Sequence, residues 1–417
     1  MRIAIIGSGV SGLVCAHLLR SRHDVVLYEA DDRPGGHSHT HTVELPDATV
    51  EVDTGFLVYN ERTYPLFCKL LDRLGVTSQP SDMSFSVADR RTGLEWRGSS
   101  PSTVFAQRSN LARPAFWQML ADVGRFNRLA TGLLEDPPGD DVTLEDVLSS
   151  RRFSTGFREW YLVPLGSSIW SAGPKTFTQI PAVTFARFFA RHGLLRLRDQ
   201  PRWRTITGGS RRYVEAILRP LRAEGRLRLG APVDKIRRES GSVELVGRAG
   251  IESFDHVVVA THSDQALSLL SDADRAERAI LGAIGYQQNR ASLHTDARML
   301  PRNRRAWASW NYHRLEAETD RATLTYHLNQ LQGIASTTPV LVSLNRDDAI
   351  DPALVLSRMD YAHPVLNAAA VAAQRRHGEI NGSRRTWFCG AYWGYGFHED
   401  GVASAVETCR ALGAAAL

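Results

Sequence analysis

Ile3, Ile5 and Ile6 form an apolar run that stops at Gly7, and LVCAHLL takes it up again once Gly9 and Gly12 have passed. A short apolar run closed by glycine predicts a strand buried on both faces. The segment behind the glycines, with Leu13, Ala16, His17 and Leu19 or Arg20 spacing its faces, predicts a helix, and DVVLYE predicts a second strand ending at Glu29. The pattern returns in TGGSRRYVEAILRPL, residues 207–221. There Gly208-Gly209 turns the chain, Ser210 is positioned to cap, and Tyr213, Ile217 and Leu221 repeat along one helical face. Residues 226–267 read as short strands joined by glycine turns, ended by a buried strand from Val257 to Ala260. PAFWQMLADVGRFNRLATGLL, STGFREWYLVPLGSSIW and PAVTFARFFARHGLL predict helices, and RTWFCGAYWGYGFHEDGVASAVETCRAL predicts strand, glycine turn and helix.

The glycines at 7, 9 and 12 give the first of these patterns a chemistry. Gly7 makes the turn, Gly9 lets the backbone close on a pyrophosphate, and Gly12 lets the helix pack tightly on the strand, so that phosphates meet the positive end of the helix. Glu29 falls about twenty residues beyond the loop, where a carboxylate takes the ribose hydroxyls of a dinucleotide. A carboxylate there disfavours a 2′-phosphate and leaves FAD or NAD.

Composition narrows the setting. At 417 residues and 43% hydrophobic, the chain is long enough for two lobes. Its net charge of +5 is carried partly by dispersed doublets, Arg211-Arg212, Arg237-Arg238 and Arg384-Arg385, which argues against a nucleic-acid partner. Solvated surface is the first reading of the doublets and contact with anionic lipid head groups the second. Cys15, Cys68, Cys389 and Cys409 are scattered without a CxxC pair, which fits a reducing cytoplasm. No run reaches membrane-spanning length and no leader pattern opens the chain. The expected location is the cytoplasm, with peripheral contact at the inner membrane face as the alternative. Lysine occurs only at Lys69, Lys175 and Lys235.

ADDRPGG, with Arg33, Gly35 and Gly36 just behind Glu29, decides between the dinucleotides. With the first glycine loop it resembles the extended fingerprint of the flavin-containing amine oxidase superfamily, which includes phytoene-desaturase-like and protoporphyrinogen-oxidase-like enzymes. The resemblance implies FAD as cofactor. It also implies an α/β fold, α+β overall: a Rossmann-like FAD-binding domain of glutathione-reductase type, made of residues 1–56, 201–274 and 381–417. A substrate domain with helices and a sheet, residues 57–200 and 275–380, is interleaved with it. Carried over residue by residue, the resemblance assigns to FAD Gly7, Gly9, Ser11, Gly12, Glu29, Ala30, Arg33, Gly35, Gly36 and His37 from the first piece. VDTGF adds Asp53, Thr54, Gly55 and Phe56, with Gly55 admitting the ring and Asp53 or Thr54 hydrogen-bonding nearby. The second piece supplies Val233, partnered by Ile236, and Ala260 and Thr261. From the closing motif come Gly390, Glu399, Asp400, Gly401 and Val402, on a helix expected to point its amino end at the flavin. The closing motif departs from the family pattern, because Ala391 follows Gly390 where most relatives carry an acid.

Within the superfamily, VDTGFLVYNERTYP, QPSDMSFSV, WRTITGGSRRYV and GAYWGYGFHEDG resemble a bacterial group of FAD-dependent oxidoreductases related to the flavoprotein portion of some plant cyclopropane fatty acid synthases. That likeness implies a lipid substrate and a lipid methyltransferase as partner. The reaction it implies is removal of hydride from a long, fatty-acyl chain to leave a double bond. Amine oxidation, a redox-neutral double-bond shift and a non-catalytic flavoprotein are the alternatives. Amine oxidation in the superfamily often uses a lysine after the strand that ends VVVAT, and this chain has none from residue 262 onward. Tyr59, His398 and Glu399 are the candidate catalytic groups, and Tyr392, Trp393 and Tyr395 the candidate substrate contacts. Phe157, Trp160, Tyr161, Trp170, Phe185, Phe188 and Phe189 fit either a channel wall or a helical core. His37, His39 and His41 alternate as metal ligands do, yet they follow the glycine pair directly, so contact with the flavin or its phosphates is expected rather than metal.

Overall fold

The computed structural model describes residues 1–196, 200–248, 250–415 and 417. Its first sheet consists of β1 (Arg2–Ile6), β2 (Asp24–Tyr28), β3 (Leu227–Arg228), β4 (His256–Val259) and β5 (Thr386–Phe388), in spatial order β3-β2-β1-β4-β5. All four pairings are parallel, with Ile5 opposite both Leu27 and Val258. Parallel strands need crossovers on both faces, which is why Ile3, Ile5, Val257 and Val258 are fully buried on either side of the layer. The strands come from three separated parts of the chain, so the sheet closes only when all three meet.

Helices α1 (Val10–Leu19), α2 (Pro65–Leu74), α3 (Arg211–Ala223) and α4 (His398–Ala411) cover this sheet. The helix predicted behind the glycines forms as α1, and it is buried along all of its length except His17, because α4 lies against the side that would otherwise face water. Ser11 Oγ donates to the Gly401 carbonyl at 3.0 Å across that contact, and the Cys15 and Cys389 thiols sit 3.7 Å apart beneath it. Tyr213, Ile217 and Leu221 are fully buried along one face of α3, as their spacing predicts. Ser210 stands at the start of α3 but does not cap it, since its hydroxyl is bonded to Asp53.

A second, seven-stranded sheet runs in the order Val355–Pro364, Tyr286–His294, Leu341–Leu344, Leu324–His327, Trp310–Arg314, Phe85–Asp89 and Leu94–Arg97. The helix Val163–Trp170 packs against it, Pro114–Glu135 meets its edge where Phe116 lies 6.3 Å from Trp96, and Ala182–Arg191 packs on Pro114–Glu135. Trp203–Ile206, which the sequence grouped with the FAD-binding pieces, pairs with Tyr59–Asn60 and Ser78–Pro80, which it grouped with the substrate domain. One arginine of each basic doublet is engaged in an ion pair: Arg211 lies 3.0 Å from Glu51, Arg238 lies 2.7 Å from Asp272, and Arg384 lies 2.7 Å from the buried Glu277. Among the described residues no helix is long and apolar enough to cross a membrane.

Candidate functional site

The loop between β1 and α1 is built as its glycines require. Gly7 has a φ of +98°, and a Cβ on Gly12 would stand 1.9 Å from the Gly7 carbonyl oxygen. Gly9 begins α1 with no side chain capping it, so the first-turn amides remain open for an anion. Glu29 accepts from the Ser8 amide at 2.9 Å and the Ser8 hydroxyl at 2.5 Å, which holds the carboxylate at the end of β2. The Ser8 hydroxyl also accepts from the Gly35 amide at 3.0 Å and so ties the second glycine loop to the first. A Cβ on Gly36 would lie 3.2 Å from Gly9 Cα, so the two loops touch. The Arg33 guanidinium folds back onto the Gly36 carbonyl at 2.8 Å.

These loops open on a cavity of about 870 Å³. Gly7, Gly9, Ser11, Glu29, Ala30, Arg33, Gly36, His37, Gly55, Phe56, Val233, Ala260, Thr261, Gly390, Tyr392, Tyr395 and His398 all line it. A paired-loop cradle with an open helix start, a carboxylate at the end of β2 and a lining that includes all three FAD-fingerprint segments of the chain fits FAD. Among the described residues no group of three or more His, Cys, Asp or Glu side chains is placed to hold a metal ion. The HSHTH histidines divide: His39 and His41 stack at 4.0 Å, whereas His37 turns to Tyr361 at 4.9 Å and His363 at 5.4 Å.

Several expected site residues stand behind the cavity wall. The Asp53 carboxylate accepts from the Ser210 amide, the Ser210 hydroxyl and the Thr40 hydroxyl, the last at 2.6 Å. Burial outweighs those donors and pushes its pKa up to about 6. Thr54 bonds the Tyr361 hydroxyl at 2.9 Å. A Cβ on Gly55 would stand 2.2 Å from the His37 carbonyl oxygen, so the backbone approach alone demands glycine there. Glu399, expected at the flavin or in catalysis, accepts instead from the amides of Leu66 at 3.0 Å and Phe67 at 2.9 Å, closing the start of α2. Asp400 turns back onto the Phe397 amide at 3.0 Å, and burial raises its pKa to about 6. Tyr59 is buried edge-on against Phe67 at 5.3 Å, and Trp393 stacks on His377 at 4.0 Å; neither lines the cavity. Gly12, Gly35, Gly401 and Val402 act through close packing: a Cβ on Gly401 would meet Val10 Cγ1 at 2.7 Å, and Val402 is fully buried in the core. Ile236, the partner of Val233, is likewise fully buried.

His398 does face the cavity. Its ring stacks on Phe56 at 3.5 Å, and its Nε2 lies 3.1 Å from Ser38 Oγ and 3.3 Å from the Tyr213 hydroxyl. Ser38 and Tyr213 are themselves hydrogen-bonded. Burial drives the pKa of His398 down to about 3, so the ring is neutral. Of the helical aromatics, Trp170 and Phe188 belong to the core cluster and also line the cavity, while Phe157, Trp160, Tyr161, Phe185 and Phe189 pack in the core without lining it. Tyr286, Gln288, Trp310, Tyr326, Tyr361 and His363 also line it, all from the second sheet. The sequence reading missed them, although the alternation of Met359, Tyr361 and His363 marks one face of a strand.

Residues 10–357 match the family model described as flavin-containing amine oxidoreductase. The chain belongs to this family. Membership carries a flavin cofactor, FAD, and agrees with the cradle. A Mycobacterium tuberculosis protein named as a flavin-containing monoamine oxidase, AofH, is 28% identical over 277 residues, covering 62% of this chain and 56% of that protein. The chain thus spans a little over half the length of that relative. Among solved structures, a fatty acid isomerase of P. acnes that produces CLA superposes with a TM-score of 0.69 at 16% identity, covering 99% of this chain and 98% of that one. A protein of Exiguobacterium sp. 255-15 described as a protoporphyrinogen oxidase superposes equally well, TM-score 0.69 at 18% identity and 99% and 98% coverage. At such identities the superpositions establish the fold, which is that of the FAD-dependent amine oxidases.

Proposed function

We propose that the protein is an FAD-dependent oxidoreductase that removes hydride from a long, fatty-acyl chain to form a double bond. One observation carries this reading. Besides the glycine loops, the cavity is lined by Met83, Phe85, Leu165, Ile169, Trp170, Phe188, Trp310 and Tyr326, none of which carries a charge. His192, which also lines it, is held neutral because burial lowers its pKa to about 4, and the charged lining residues are Glu29, Asp31, Arg33, Asp264 and Asp360. An alkyl chain laid against the apolar residues loses only water there, whereas an ammonium group would gain no partner from them. Trp170, Phe188 and Phe397 pack on one another and offer ring surface to an extended chain. Bound FAD supplies the acceptor for the hydride. The neutral rings of His398 and Phe56 exclude water from the reacting carbon. The resemblance to flavoproteins that accompany acyl-chain methyltransferases supports the same substrate class and a lipid methyltransferase as partner.

Anaerobic mixing of the yellow holoprotein with fatty acyl chains of graded length tests the proposal. Bleaching that strengthens with chain length, with a product two hydrogens lighter, is the expected result. Bleaching by small amines but not by acyl chains would overturn it in favour of an amine oxidase, the activity named for the M. tuberculosis relative. An acyl product of unchanged mass without lasting bleaching would identify a redox-neutral double-bond shift instead, an isomerisation of a fatty acid as named for the P. acnes protein of shared fold.

A further inference from the structure

His37, His262 and His363 come from three distant parts of the chain and stand on one wall of the cavity. The His37 ring lies 5.4 Å from His363 and 6.0 Å from His262, and His262 stacks on Tyr286 at 4.5 Å. Burial lowers the pKa of all three below the usual histidine range, that of His363 to about 4, so the wall carries imidazoles and no imidazolium. No lysine occurs from residue 262 onward to serve as a donor.

The tautomer of His363 follows from the groups behind it. Asn289 Nδ2 lies 2.9 Å from the Ser171 carbonyl and 3.1 Å from His363 Nδ1. Asn289 Oδ1 accepts from Asn345 Nδ2 at 2.8 Å. Asn345 is fixed in its turn, because its Nδ2 also donates to the Ala322 carbonyl at 2.8 Å and its Oδ1 accepts from the Arg290 amide at 3.1 Å. Flipping either amide would set oxygen against oxygen and nitrogen against nitrogen. His363 Nδ1 is therefore an acceptor, and the single N–H of the neutral ring is on Nε2. The Asn289 side of the ring belongs to the sheet, which leaves the Nε2 edge for the cavity that the residue lines.

We infer that His363, held by Asn289 as its Nε2–H tautomer, donates a hydrogen bond to the redox ring of the bound flavin, with Asn289 as its positioning residue. The inference rests on the assignment of FAD to this cavity and goes beyond it by naming the group that tunes the flavin. A fixed donor aimed at the ring favours the electron-rich reduced form, and a neutral donor does so with its proton retained.

The test is the midpoint potential of the FAD-loaded full chain. His363→Leu is expected to shift the balance toward oxidised flavin by about tenfold, or about 30 mV for the two-electron couple. Asn289→Leu, which frees the ring, is expected to shift it the same way by less, and His363→Gln, which keeps an N–H, to restore most of the loss. Nitrogen-15 spectra of histidine-labelled wild type are expected to show the Nε2–H form of His363 down to about pH 6. An unchanged potential in His363→Leu, an Nδ1–H form, or a cationic ring at that pH would each overturn the inference. Should His363→Leu fail to fold, the Asn289→Leu potential and the spectra decide. Wild-type protein that takes up no FAD would overturn both the cofactor assignment and the donor role, whereas a tinted protein with an indifferent His363 would overturn the donor alone.

Discussion

The buried carboxylate of Asp53 accepts hydrogen bonds from both the amide of Ser210, at 2.9 Å, and its hydroxyl, at 2.7 Å. The two residues are 157 positions apart, and their bond fastens the start of α3 to the strand that precedes Gly55. Asp53→Ala would leave the Ser210 and Thr40 donors buried without an acceptor. A loss of about 2–4 kcal/mol in urea unfolding is expected. Asp53→Asn keeps one acceptor oxygen and should fall between the two.

The glycine loop makes opposite demands at adjacent turns. Nothing lies within 4 Å of a Cβ on Gly9, whose φ of −64° suits any residue, whereas a Cβ on Gly12 collides with the Gly7 carbonyl. Gly9→Ala is therefore expected to fold with a near-native melting temperature and lose FAD affinity, because the added methyl meets only the phosphates. Gly12→Ala is expected to lose the fold as well. Thermal melts with and without added FAD separate the two cases.

Glu399 supports α2 from a distance of more than 330 residues along the chain. Glu399→Gln retains one acceptor and is expected to cost about 1 kcal/mol of stability, a typical cap loss, while bound FAD and the rate of bleaching by substrate stay as in wild type. A large fall in that rate with stability unchanged would contradict the assignment.

Filling the apolar part of the cavity lining should act on substrate length alone. Ile169→Trp is expected to retain FAD and its spectrum, and to slow bleaching by long acyl chains by about tenfold or more while sparing short ones. Stopped-flow reduction across a chain-length series reads the difference.

Acid should loosen the protein through its buried histidines, with a smaller opposing effect from Asp53 and Asp400, whose carboxyls burial has raised to about 6. His192, His294, His313, His363 and His398 are held neutral by burial, with pKa values lowered to about 3 or 4. In the unfolded chain each titrates near about 6.5. A histidine whose folded pKa is depressed lends stability that is complete above the unfolded value and is lost as pH falls from there toward the folded one. Each contributes up to about 1.4 kcal/mol per pH unit in that window. Melting temperature is expected to drop steeply between about pH 6.5 and 5, and His313→Asn to shallow the slope.

The cradle was legible because phosphate binding by backbone imposes a local pattern: glycines at fixed spacing, an apolar strand before them and an acid behind. Gly7, Gly9, Gly36 and Glu29 stand where that pattern sets them, at the cavity. Asp53 and Glu399 were misread because a carboxylate beside a cofactor motif looks alike whether it faces the ligand or a distant helix start. Only the tertiary partners, Ser210 and the amides of Leu66 and Phe67, distinguish the two. The split of Trp170 and Phe188 from Phe157 and Phe185 has no local signature either, since all four sit on apolar helices. His363 was within reach through the alternation around Tyr361, but its tautomer depends on Asn345, which reaches it from another strand.

The bond from Ser11 to Gly401 spans 390 residues. A ribosome reaches the acceptor only after nearly all of the described chain has been made. Until then Val14, Cys15 and Leu18 of α1 lack the helix that shields them from water. The nascent protein therefore travels through most of its synthesis with a sticky, half-built nucleotide fold.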